Sequence, residues 1–200
     1  MKKSTLYTAF ILVVFSLLSY SCTEGFDEIN SNPNSPEAIG PQFLLSNVIS
    51  VAANENTYTQ GFRLSNYLAQ FASSVEFERI DRYEMGSNAQ YWNGTFRLLN
   101  DIESIQNNTS TNEAYNAVSD IMKAYLFSQL TDMWGDIPYS EALGAKNGSF
   151  TPKYDTQERV YTDPQNGILA ILKRSSETLK NTSASIQGDM MFNNNIDKWR

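Results

Sequence analysis

An all-α fold is the architecture this 200-residue chain predicts, and three observations carry it. Apolar residues recur at three- and four-residue spacing in five separate stretches. No run of five or more residues alternates apolar with polar as a half-buried strand does. The breaks between stretches, at Gly86–Ser87, Asn107–Thr111 and Asn147–Ser149, are short and polar, which favours antiparallel neighbours.

Pro41 opens the first helix, in which Leu44, Leu45, Val48, Ile49, Val51 and Ala52 repeat at helical spacing. A second, shorter stretch holds Leu64, Tyr67, Leu68 and Phe71. The third begins with Ser87 and Gln90 at the spacing of a capping box. Trp92, Phe96, Leu99 and Ile102 form one face of it, with Tyr91, Leu98 and Ile105 beside them. The fourth is the strongest, from about Glu113 to Met133, with Ala114, Val118, Ile121, Met122, Tyr125, Leu126, Leu130 and Met133 as a wide apolar stripe. The fifth starts with Asp163 as N-cap and Pro164 in the first turn, then Ile168, Ile171, Leu172 and Leu179. Such helix pairs are tetratricopeptide-like, although no clean period of about 34 residues emerges. Between the fourth and fifth helices, residues 134–161 form too long an irregular loop for a plain connector.

The N-terminus supplies an address. Lys2 and Lys3 precede an apolar run from Leu6 to Leu18, and Cys22, the only cysteine, closes the segment. The run is shorter than the roughly 18 residues a membrane span needs, so residues 1–21 read as a lipoprotein signal peptide. A lone thiol in an exported chain cannot form an intramolecular disulfide, whereas acylation, with palmitate for example, gives it a use. Lipoprotein signals usually carry Leu three residues before the cysteine; here Ser19 stands there and Leu18 one place earlier. Residues 22–40, polar and turn-rich, suit a lipidated flexible tether.

Composition excludes several functions. The net charge of −7 becomes −9 once Lys2 and Lys3 leave with the signal, since 13 basic residues then face 22 acids. Such a chain repels nucleic acid and anionic headgroups, leaving the lipid as its membrane contact. With no histidine, serine and cysteine triads and His-ligated metal sites have no imidazole to use. The carboxylate pairs Asp27/Glu28 and Asp132/Asp136 sit in tether and turn contexts without an obvious cleft, so neither catalysis nor a metal or cofactor is expected.

From Ala124 the chain runs AYLFSQLTDMWGDIPYSEAL and later FTPKYDTQERVY. With FDEIN at Phe26–Asn30, NPN at Asn32–Asn34 and YWNGTFRLLNDI at Tyr91–Ile102, this resembles the SusD/RagB family of nutrient-binding outer membrane lipoproteins, and its SusD-like 2 branch most nearly. The resemblance runs from residue 22 to the C-terminus. It implies that residues 41–200 are the N-terminal part of a longer, truncated SusD-like domain, with the closing Asn195–Arg200 and an exposed Trp199 opening a further element. It also implies delivery of an oligosaccharide, or a peptide, to a SusC-like TonB-dependent transporter at the cell exterior. A helical-repeat scaffold that binds only a protein partner is the alternative.

Carbohydrate sites use flat aromatic faces beside amides, carboxylates or guanidinium groups. Trp92 with Asn93 lies near where the family places a stacking Trp, although Trp92 also falls on an apolar stripe. Arg79, Arg82 and Tyr83, in a charged loop, are the further candidates. In the family turn, Trp134, Gly135, Asp136, Pro138 and Tyr139 read first as structural: Gly135 closes the helix at positive φ, and Pro138 stiffens the exit.

Overall fold

The computed structural model describes residues 39–76, 79–108 and 110–200. The signal peptide, Cys22, the tether through residue 38 and the motifs at Phe26–Asn34 lie outside the described residues.

Five α-helices build the described body: α1, Pro41–Asn54; α2, Ala89–Gln106; α3, Glu113–Trp134; α4, Gln157–Thr162; and α5, Ile168–Asn181. Pro41 fits the first turn of α1 because its missing N–H is unpaired there in any helix. α3 starts where Asn112 caps it, accepting from the backbone N–H groups of Ala114 and Tyr115 at 3.0 Å each.

Cross-helix contacts fix antiparallel packing. Between α1 and α2, Asn108 bonds the carbonyl of Ile39, Asn47 bonds Asp101, and the Tyr91 hydroxyl bonds Asn56, so one chain ascends as the other descends. Phe96 meets Phe127 and Gln106 meets Asp120 across α2 and α3. Thr182 meets Glu113 and Arg174 meets Asp120 across α3 and α5. α3 therefore lies between α2 and α5, and it buries residues on both sides: Ala114, Val118, Leu126 and Leu130 with Ala117, Ala124 and Phe127. The all-α reading in antiparallel, tetratricopeptide-like pairs describes this arrangement.

Four local expectations are corrected. The second stretch is not a separate helix: α1 runs on through a π-helical segment, Glu55–Ser65, into a last turn at Asn66–Leu68, and Phe71 stands outside it, 87% exposed. Ser87 and Gln90 form no capping box; α2 is entered through Asn88, which takes φ 50° and turns its amide to Gln60 and Met133 instead. Asp163 ends α4 and does not begin α5; its carboxylate accepts from Gln165 and Asn166, a turn, and Gly167 precedes α5. Tyr125 and Met133 of the expected stripe are exposed, because α3's two packed faces leave them between neighbours.

The long connector is ordered by short pieces. Ile137–Pro138 (β1) pairs antiparallel with Tyr154–Asp155 (β2), and α4 follows. The C-terminal residues fold back on the body. Gly188, at φ 80°, lies so close to the carbonyl of Gln42 that an added Cβ would collide with it, and its own carbonyl accepts from Ser46 at 2.7 Å. Trp199, expected exposed, is buried: its indole N–H donates to the buried Asp189 carboxylate at 2.9 Å, and its ring meets Phe192 edge-on.

Candidate functional site

The turn after α3 is anchored from three sides. Gly135 takes φ 75° and ψ −115°, and its N–H donates to Thr131 at 2.8 Å while the Thr131 hydroxyl returns a bond to the Gly135 carbonyl. Asp136 accepts from the backbone of Gln157, whose side-chain amide reaches Thr131 and Asp132. Tyr139 packs edge-on against Phe127 with centroids 4.7 Å apart, and its hydroxyl donates to the carbonyl of Asn166. Burial, then the nearby Asp163 and Asp120, push its hydroxyl up to about 12. Burial also acts on Asp155, but bonds from Ser140 and the Arg159 guanidinium at 3.2 Å outweigh it and hold the carboxyl below its ordinary value.

Trp134 closes an aromatic layer. Its ring lies nearly parallel to Tyr91, with centroids 6.1 Å apart, and edge-on to Trp92 at 5.1 Å. Trp92 continues to Phe96. Beside Trp134 opens a groove of about 530 Å³ between the π-helical segment, the loop before α2 and the end of α3. Leu64, Leu68, Ile80, Met85 and Met133 supply its apolar wall, and Gln60, Arg63 and Asn88 supply amides and a guanidinium. Apolar surface with a few convergent polar groups is the usual chemistry of a small-ligand site.

The structure divides the residues singled out from sequence. Trp92 faces the aromatic layer, whereas Asn93, one residue on and so about a quarter-turn round the helix, lines a different trough of about 860 Å³ between α1 and α2. That trough is the larger, and its lining combines Asn47, Glu55, Gln90, Arg97 and Asp101 with Val51 and Leu98 but includes no aromatic side chain. Arg79 pairs with Glu84 at 3.6 Å, and Arg82 and exposed Tyr83 follow it in the loop; none of these three lines the groove, whereas Ile80 and the stretch Met85–Asn88 of the same loop do. Gln60 and Arg63 escaped the sequence reading, and Leu64 was read only as part of a helical stretch, because π geometry abandons the spacing by which helix faces are recognised. Among the described residues, no group of three His, Cys, Asp or Glu side chains could hold a metal, and no helix is long and apolar enough to cross a membrane.

A family model described as SusD-like, starch-binding and associating with the outer membrane, matches residues 33–200. The chain belongs to the SusD-like family. Three solved structures share its fold over 80% of its length. One is an outer membrane protein of Bacteroides vulgatus ATCC 8482 linked by its description to nutrient binding, at TM-score 0.59 and 24% identity, with 33% of that chain covered. A second is a SusD homologue of Bacteroides fragilis NCTC 9343, at TM-score 0.59 and 21% identity, also with 33% covered. The third is a chitin-binding protein, at TM-score 0.62 and 27% identity, with 36% covered. This SusD-like chain thus spans about a third of the length of those proteins. No curated protein matches it.

Proposed function

We propose that this SusD-like chain belongs to an outer membrane lipoprotein, facing the cell exterior, that binds a nutrient glycan and delivers it to a SusC-like TonB-dependent transporter. The observation that carries the reading is the groove at Trp134, where apolar wall, amides and a guanidinium meet as a sugar's C–H faces and hydroxyls require. Family membership and the likeness to a chitin-binding protein support it. Cys22 is proposed as the anchor, and the chain is read as a binding protein without catalysis.

Calorimetry against chito- and malto-oligosaccharides and against a peptide panel tests the ligand. Saturable glycan binding supports the reading, and binding to neither panel counts against capture. The peptide arm is motivated by the trough between α1 and α2, whose Asn47, Gln90, Asn93 and Asn100 side chains match peptide amides. The anchor is tested by Cys22→Ala, which should move the protein out of the outer membrane fraction. Continued residence there would refute lipidation at Cys22.

A further inference from the structure

A cavity of about 250 Å³ opens between α3, the turn after it, α4 and α5, and it shares no lining residue with the groove at Trp134. Asp120, Lys123 and Phe127 reach it from one face of α3, being three and four residues apart. Tyr139 and Ser140 come from the turn, Arg159 and Asp163 from α4 and its end, and Ile171 and Arg174 from α5. The rim is fixed in advance. The Tyr139 hydroxyl donates to the carbonyl of Asn166, and the Asp163 carboxylate accepts from the backbone of Gln165 and Asn166 at 3.1 and 2.8 Å.

Most of the charge in this cavity already has a partner. Arg159 lies 3.2 Å from Asp155 and 3.9 Å from Asp163. Asp120 accepts from Gln106 at 2.8 Å, while Arg174 donates to the carbonyl of Gln165 at 3.0 Å and lies 4.0 Å from Asp120. Lys123 differs: it is half-buried, and among the described residues no group bonds or pairs with its ammonium. Withdrawing a charge from water is costly unless something pairs with it. In a chain with 22 acids against 15 basic residues, an unpaired cation in a cavity is the exception.

We propose that this cavity is a second binding site, which takes one small sugar acid with its carboxylate on Lys123 and Arg174. Volume sets the size. Sites for drug-sized ligands run to about 300–1,000 Å³, so this one admits a single ring and not a chain. Charge sets the class. Asp120, Asp155 and Asp163 balance the three cations, so one carboxylate finds its partner in Lys123, whereas a doubly charged phosphate brings more negative charge than Lys123 offsets. The rest of the lining suits a polyol ring: Ser140, Asn166 and Asp163 offer groups for hydroxyls, and Tyr139 with Ile171 offers an apolar wall for C–H faces. The site does not rest on the glycan reading of the groove.

Calorimetry with glucuronate, galacturonate, neutral glucose and inorganic phosphate tests the site, on the protein and on Lys123→Gln and Lys123→Arg variants whose helical fold circular dichroism checks. A uronate should bind saturably, and glucose and phosphate about tenfold more weakly or not at all. Lys123→Gln keeps the stem but loses the charge, and should weaken uronate binding about tenfold or more, as loss of a hydrogen bond to a charged group does. Lys123→Arg should restore most of it. Uronate binding that is absent, equal to that of glucose, or unchanged in Lys123→Gln overturns the site. Tighter binding of phosphate than of either uronate overturns the carboxylate assignment. Displacement of uronate by chito- or malto-oligosaccharides places it in the groove at Trp134 and overturns the second site.

Discussion

The bond between Asp189 and Trp199 holds the C-terminal residues in place, and it can be isolated by a double-mutant cycle. Asp189 is 3% exposed and its two oxygens divide their work. Oδ1 accepts from the backbone of Met191 and Phe192, while Oδ2 accepts from the Trp199 indole N–H at 2.9 Å. Asp189→Asn keeps an acceptor for the backbone pair but turns an N–H₂ group toward the indole N–H. One hydrogen bond to a carboxylate disappears, worth about 1.5–3 kcal/mol, and a buried donor is left unsatisfied, so the cost should be about 3 kcal/mol. Trp199→Phe removes the same bond from the other side and should cost about 2 kcal/mol. Because both delete one interaction, the double variant should cost about 3 kcal/mol, well short of the sum, a coupling of roughly 2 kcal/mol. Urea unfolding followed by far-ultraviolet circular dichroism measures this without depending on the three Trp residues for signal. Additive losses, with coupling below about 0.5 kcal/mol, would refute a bond between the two side chains.

Three further outcomes are expected. Gly135→Ala meets no atom within 4 Å of its new Cβ, so its whole cost is backbone strain at φ 75° and ψ −115°, about 1–3 kcal/mol, seen as a lowered Tm; an unchanged Tm would show that the turn is not held there. Burial pushes the Tyr91 and Tyr139 hydroxyls up to about 12 from 10.0, so they favour the folded state in full below pH 10 and lose that contribution as pH rises towards 12. Tyr139→Phe should flatten the alkaline fall in urea midpoint, and an identical fall in the variant would count against the shift. On the acid side, Asp155 lies below its ordinary 3.8, so its contribution is present above that pH and is lost as pH drops through its lowered folded value; Asp155→Asn should flatten that limb.

Legibility in the sequence followed the length and regularity of each pattern. α1 and α3 were readable because many apolar residues at 3.6-residue spacing must find one interior. Gly135 was readable because few residues other than glycine accept its conformation. Short polar signals were less secure. Ser87 and Gln90 had capping-box spacing, yet the helix entrance fell to Asn88 because its amide reaches Gln60 and Met133, distant in sequence. Asp163 made the bonds of a cap but spent them on a turn. Trp92 and Asn93 looked like a pair and part because adjacent helix positions face different neighbours.

By itself the sequence determined the all-α class, the antiparallel order of the main helices and the turn after α3, since these depend on local periodicity and on glycine's freedom. Tertiary structure alone decided the π continuation of α1, the burial of Trp199 on Asp189 and the meeting of Gln60, Ile80, Asn88 and Trp134 in one groove. Those features arise from contacts between residues far apart in the chain, and no local pattern encodes which distant partner a side chain will meet.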